Sequence, residues 1–149
     1  MYNNVLDDII SFYKKNYKAI EKQEIYKWKS IQHFQNNWES EPDDFHAMLT
    51  RALEKTLNLL SSGSYFPLRV ILRLSDSEPL QVKRMFEKLF DEDNDLATRL
   101  IEFKDTAYKL LEECYSNETY KSYQDHRAAM AYLTHRYPDV HFLYKFQNI

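Results

Sequence analysis

Glycine is almost absent from this chain: Gly63 is the only one in 149 residues. Phosphate-binding loops, dinucleotide fingerprints and nucleophile elbows all place glycines where backbone turns sharply or closes on a ligand. None of them can be built here. Cysteine is equally scarce. Cys114 stands alone, so no intrachain disulfide exists, and a reducing cytoplasm is the expected compartment. No apolar run approaches the roughly 20 residues of a membrane span. Asp7 and Asp8 interrupt the early apolar stretch, so no secretory signal pattern is expected. An excess of positive charge is also missing. The 20 Lys and Arg are outnumbered by 23 Asp and Glu, a net charge of −3, which argues against a globally basic nucleic-acid binder but leaves room for a local basic patch.

What is present fits one globular domain. Hydrophobic residues make up 44% and charged residues 29%, a balance that supports a packed core rather than a disordered chain. Twelve tyrosines and nine phenylalanines supply bulky core fillers, and tyrosine also serves at interfaces and against nucleic-acid bases.

The apolar residues recur mostly at helical spacing. Asn3 or Asn4 is placed to cap a first helix carrying Val5, Ile9, Phe12, Tyr13, Tyr17 and Ile20. The pattern continues through Ile25, Trp28, Ile31, Phe34 and Trp38, either as a second helix after a break near Glu21–Glu24 or as one long, bent helix. Pro42 and its polar neighbours end it. A helix is expected from near Asp43 to about Leu60, stopped by Ser61-Ser62-Gly63-Ser64 with Gly63 left-handed. Pro67 suits the first turn of a short helix over Leu68 to Ser75, although Val70, Ile71, Leu72 and Leu74 also fit a strand. Asp76 or Ser77 is placed to cap the helix bearing Val82, Met85, Phe86, Leu89 and Phe90. Asp95 fits as the cap of a long amphipathic helix ending near Tyr115. A last helix is expected over about Tyr120 to Arg136. Val140, Phe142, Tyr144 and Phe146 then alternate with His141, Leu143 and Lys145, a period-two pattern that reads as a short strand. The expected fold is a mainly α bundle of about six to seven helices with a short C-terminal β-strand, residues 1–149 forming a single domain. A lone strand needs a pairing partner, so the native polypeptide is expected to continue past Ile149, with this chain its N-terminal module.

Residue chemistry points away from catalysis. The five histidines, His33, His46, His126, His135 and His141, form no short zinc spacing and no Cys/His cluster. Cys114 has no sequence neighbour that marks a nucleophile. The adjacent carboxylates Asp43-Asp44 and Glu112-Glu113 do not face each other on a helix. No catalytic, cofactor-binding or metal residue is therefore expected. The most suggestive segment is basic and aromatic. Residues 14 to 29 hold Lys14, Lys15, Lys18, Lys22, Lys27 and Lys29 against Glu21 and Glu24, six minus two, a local charge of +4. Tyr13, Tyr17, Tyr26 and Trp28 are interleaved. Lysines neutralise phosphates and aromatic faces stack on bases. The four-residue spacing of Lys14, Lys18 and Lys22 is also that of an ordinary solvated helix face.

Lys27-Trp28-Lys29, Ile31-Gln32-His33-Phe34-Gln35 and Trp38 resemble a segment of the helical N-terminal region found on some McrB-type AAA+ NTPases of modification-dependent restriction and phage defence. Tyr65-Phe66-Pro67-Leu68-Arg69, Met85-Phe86 with Leu89-Phe90-Asp91-Glu92, Tyr132-Leu133 with Arg136-Tyr137-Pro138-Asp139, and Tyr144-Lys145 are similar as well. The resemblance covers roughly residues 25 to 146. It implies a cytoplasmic accessory module of a defence NTPase whose nucleotide-binding loop lies elsewhere. Such a module often selects DNA, so the candidate nucleic-acid contacts are Lys14, Lys18, Lys22, Lys27, Lys29 and His33. The alternative is a protein-interaction module that docks a motor or nuclease partner, with Tyr144 and Lys145 as candidate contacts. Trp28 and Trp38, both on the Ile25–Trp38 apolar stripe, are expected to be buried.

Overall fold

The computed structural model describes residues 2–116 and 121–142. Seven α-helices occupy them: α1 Tyr2–Asn37, α2 Phe45–Ala52, α3 Leu57–Leu60, α4 Pro67–Ser77, α5 Pro79–Leu89, α6 Leu96–Tyr115 and α7 His126–Arg136. No sheet is present among them. The one bridge joins Ser62 and Tyr65 across a two-residue turn, and it is there that Gly63 takes its left-handed φ of 57°. The conformation is as expected, but Gly63 serves the turn rather than ending the helix.

Carboxylates start three of the helices. Asp44 accepts from the Ala47 amide, Asp95 from the Thr98 amide and Asp125 from the Ala128 amide, each at 3.0 Å, satisfying N–H groups that have no partner within the helix. Prolines start two more, with Pro67 and Pro79 in the first turns of α4 and α5, where a missing N–H costs nothing. Glu78 both ends α4 and precedes α5. Neither Asp76 nor Ser77 caps α5, because both still belong to α4.

The expected 43–60 helix is divided. α2 ends at Ala52, and the Thr56 hydroxyl, fully buried, donates to the Leu53 carbonyl at 2.6 Å, diverting backbone that would otherwise continue the helix. The final helix starts six residues later than expected, at His126. The expected C-terminal strand is not seen in its described part. The Val140 and His141 amides both donate to the Tyr137 carbonyl at 3.1 Å, which is a turn. The rest of that pattern, including Tyr144 and Lys145, lies outside the described residues.

The core is aromatic and centres on Phe86, whose ring lies 5.1 Å from Tyr132, 5.4 Å from Phe103 and 5.6 Å from Phe90. Such offset and edge-on pairs add to the stabilisation from area burial. Ala128, Ala129 and Ala131 are buried on α7 and let its backbone approach its neighbours. α7 and α2 both pack against α1, but only near its C-terminal end.

Candidate functional site

α1 is 36 residues long, about 54 Å at 1.5 Å per residue. Its first buried side chain is Ser30, followed by Ile31 and Phe34. Among the described side chains from Asn4 to Lys29, none is buried. The N-terminal two-thirds of the helix therefore carries its own surface. Val5, Leu6, Ile9, Phe12, Tyr13 and Tyr17 are all at least half exposed, Phe12 at 68%. At about 100° per residue they share an arc roughly 160° wide with Ile10, and Ile31 and Phe34 fall on the same arc further along. The arc is largely apolar from Val5 to Tyr17 and apolar again at Ile31 and Phe34, with Glu24 and Lys27 on it between them. The domain covers its last part and leaves the first part bare.

The lysines lie on the other side. Lys14, Lys18, Lys22 and Lys29 are exposed and fall within an arc of about 80°, centred opposite the apolar stripe. Lys27 does not join them. It sits on the stripe side and pairs with Glu24 at 3.0 Å, in a shallow groove that also contains Trp28 and Phe142. His33 is engaged elsewhere: its Nε2 lies 2.8 Å from the Arg51 carbonyl oxygen and 3.5 Å from Glu54, joining α1 to the chain at the end of α2. The six sequence candidates thus divide into a line of four lysines and two side chains held by neighbours.

Trp28 corrects an expectation. It is 61% exposed, because the covering helices reach α1 only from about Ser30. Trp38 is half-buried as part of the core, stacked on Phe34 at 5.3 Å and edge-on to Phe90 at 5.2 Å.

Two polar clusters evaded sequence reasoning. Ser30 Oγ and His135 Nε2 are 2.8 Å apart, and His135 Nδ1 lies 2.7 Å from the Ala131 carbonyl oxygen. A carbonyl only accepts, so Nδ1 carries the proton and Nε2 accepts from Ser30. A serine hydroxyl on an imidazole is the beginning of a nucleophilic pair, but Ser30 is fully buried and His135 1% exposed, so no substrate reaches them. Their role is to join α1 to α7. The second cluster is Glu92, which pairs with Arg99 and His141, each at 2.7 Å. Burial pushes the Glu92 carboxyl up, but hydrogen bonds from His141 and Arg99 outweigh it and hold the group below the usual carboxylate range. Arg99 is 5% exposed and also donates to the Leu89 carbonyl. This cluster ties the residues after α7 to α6. Neither cluster leaves a local sequence signal, since the partners are separated by 105 and 49 positions.

Burial, then the nearby charges of Glu78 and Glu113, push the Cys114 thiol up, away from the thiolate that a nucleophile needs. Among the described residues, no three of His, Cys, Asp and Glu gather as a metal site, and no helix is long and apolar enough to cross a membrane.

Comparison with protein families, characterised proteins and solved structures finds no match.

Proposed function

We propose that this chain is a non-catalytic accessory module whose projecting α1 docks onto a partner protein. The observation that carries the reading is the bare apolar stripe from Val5 to Tyr17, in line with Ile31 and Phe34, which the domain itself buries. Exposed apolar stretches of this size rimmed by charge mark interaction sites, and a partner helix laid along the stripe would continue the packing that α2 and α7 begin. The resemblance to McrB-type N-terminal regions suggests a setting, in which the partner is the motor or nuclease component of a defence system.

A second reading rests on the lysine line. Lys14, Lys18, Lys22 and Lys29 are exposed on the outer face of α1, so a docked helix would leave them free to meet DNA phosphates. Net charge works against this reading, and Tyr13 and Tyr17 lie on the far side from the lysines, although Tyr26 lines a groove with Lys29.

A photo-crosslinking side chain at Phe12 and, separately, at Lys18 tests both in cells making the full native polypeptide. The account expects a protein adduct from Phe12 and none from Lys18, with the Phe12 adduct abolished by Ile9→Asp. A DNA adduct from Lys18 favours the second reading. No adduct at either position contradicts the proposal.

A further inference from the structure

The uncovered part of α1 is polarised in charge. From Asn4 to Tyr13 its charged side chains are Asp7 and Asp8. From Lys14 to Lys18 they are Lys14, Lys15 and Lys18. All five are exposed, and none is ion-paired to another described residue. Asp7 and Lys14 border one edge of the apolar stripe, and Asp8 and Lys15 border the other. The apolar residues themselves are spaced evenly about Ser11. Val5 and Tyr17 lie six positions to either side of it, Ile9 and Tyr13 two, and Ile10 and Phe12 one. Asn16, a polar residue within the arc, already donates to the Phe12 carbonyl at 2.9 Å.

We infer that the occupant of the stripe is α1 of a second copy of this chain, laid antiparallel about a two-fold axis at Ser11. This rests on the docking reading above and names its partner. Under that axis, a residue before Ser11 comes level with the residue equally far after it in the other copy. Val5 then meets Tyr17, Ile9 meets Tyr13 and Ile10 meets Phe12. An antiparallel pair also brings the same edge of both helices together, so Asp7 faces Lys14 and Asp8 faces Lys15, each twice by symmetry. A parallel pair in register would instead set Asp7 beside Asp8 and Lys14 beside Lys15, like against like. Bordering charges of this kind select helix direction.

The two domains have room. The second helix, which starts at Tyr2, comes level with position 20, about 15 Å short of Ser30, where the cover of the domain begins. Interfaces of standard size use about 20–30 residues a side. Each stripe brings seven apolar side chains and four bordering charges, so the pair is weak. The chain is a monomer with α1 bare when dilute. It pairs when concentrated, or when an assembly holds two copies close and raises their effective concentration.

Sedimentation equilibrium of the full chain at about 50 mM salt, where ionic contacts are little screened, tests the pairing. The mass should rise from monomer near about 1 µM toward dimer near about 1 mM, because interfaces of standard size begin at micromolar affinity. Asp7→Lys with Asp8→Lys should weaken self-association at least about tenfold, and so should Lys14→Asp with Lys15→Asp. An equimolar mixture of these two variants should pair at least as tightly as the wild type, since every edge contact is then between opposite charges. That recovery also shows that both variants fold. Disulfide trapping in a Cys114→Ser background reads the direction. Val5→Cys should link to Tyr17→Cys in a mixture and should not link to itself. A monomer at every concentration, no pairing of the mixed variants, or self-linking of Val5→Cys would each overturn the inference. Docking through α1 survives such a result if Phe12 cross-links to a different protein in cells, and fails with it if Phe12 gives no adduct.

Discussion

The hydroxyl of Ser30 donates to Nε2 of His135 across 2.8 Å, inside the domain and between the first and last helices. Burial lowers the His135 pKa, and the hydrogen bond to the Ala131 carbonyl offsets only part of that. A depressed folded value gives stability that is present above the ordinary histidine value of about 6.5 and is lost as pH falls through the folded one. Below about pH 6.5, the unfolded chain takes up a proton that the folded imidazole refuses. Stability should then fall by up to about 1.4 kcal/mol per pH unit from this group. Urea unfolding of the wild type and of His135→Gln between pH 5 and 8 measures it. The variant should be less stable at neutral pH and lose this component of the pH dependence.

Glu92 governs a different window. Its folded pKa is depressed, so its contribution is present above the ordinary glutamate value of about 4.3 and is lost as pH falls through the lower folded value. Glu92→Gln removes the charge opposite a guanidinium that is 5% exposed. Stranding one partner of a buried pair is costly. Glu92 itself is 32% exposed, which reduces the effect, so a loss of about 2–3 kcal/mol is expected at pH 7. Arg99→Met together with Glu92→Gln should lose less than Glu92→Gln alone, because no buried charge is then left unpaired. Chemical denaturation of the three proteins decides.

The two tryptophans should respond oppositely to truncation. Trp38→Ala removes a ring that contacts Phe34, Phe45, Phe86 and Phe90, and a loss of about 3 kcal/mol is expected. Trp28→Ala should change stability by no more than about 0.5 kcal/mol, as at other surface positions. Similar losses for both would mean that α1 is covered further toward its start.

These tryptophans also mark how much could be read from sequence. Periodicity finds which face of a helix is apolar, and it placed Trp28 and Trp38 on one stripe. It carries no information on how far along that stripe other helices extend. Local chemistry was legible where a few neighbouring residues decide the outcome: the Asp95 cap and the end of α6 at Tyr115, Pro67 opening α4, and the left-handed Gly63. Pro79 carried the same signal as Pro67 for the start of α5, yet Asp76 and Ser77 were the expected caps. The division between α2 and α3 depends on a buried Thr56 hydroxyl that looks like any other helix threonine in sequence. Ser30 with His135, and Glu92 with His141, require the tertiary fold. On the candidate surface, sequence identified the lysines but grouped Lys27 and His33 with them. Helical phase puts Lys27 on the apolar side, and His33, which lines a groove with Lys29, is held by the Arg51 carbonyl.

Hydrogen exchange along α1 tests the central claim most directly. In the isolated chain, amides 5–24 should exchange far faster than those of residues 30–37, because a helix without tertiary cover opens locally at little cost. In the native assembly, amides 5–24 should become protected to a level approaching that of the covered part, and Ile9→Asp should remove that gain without altering residues 30–37. Slow exchange over 5–24 in the isolated chain, or no added protection in the assembly, would contradict docking through α1.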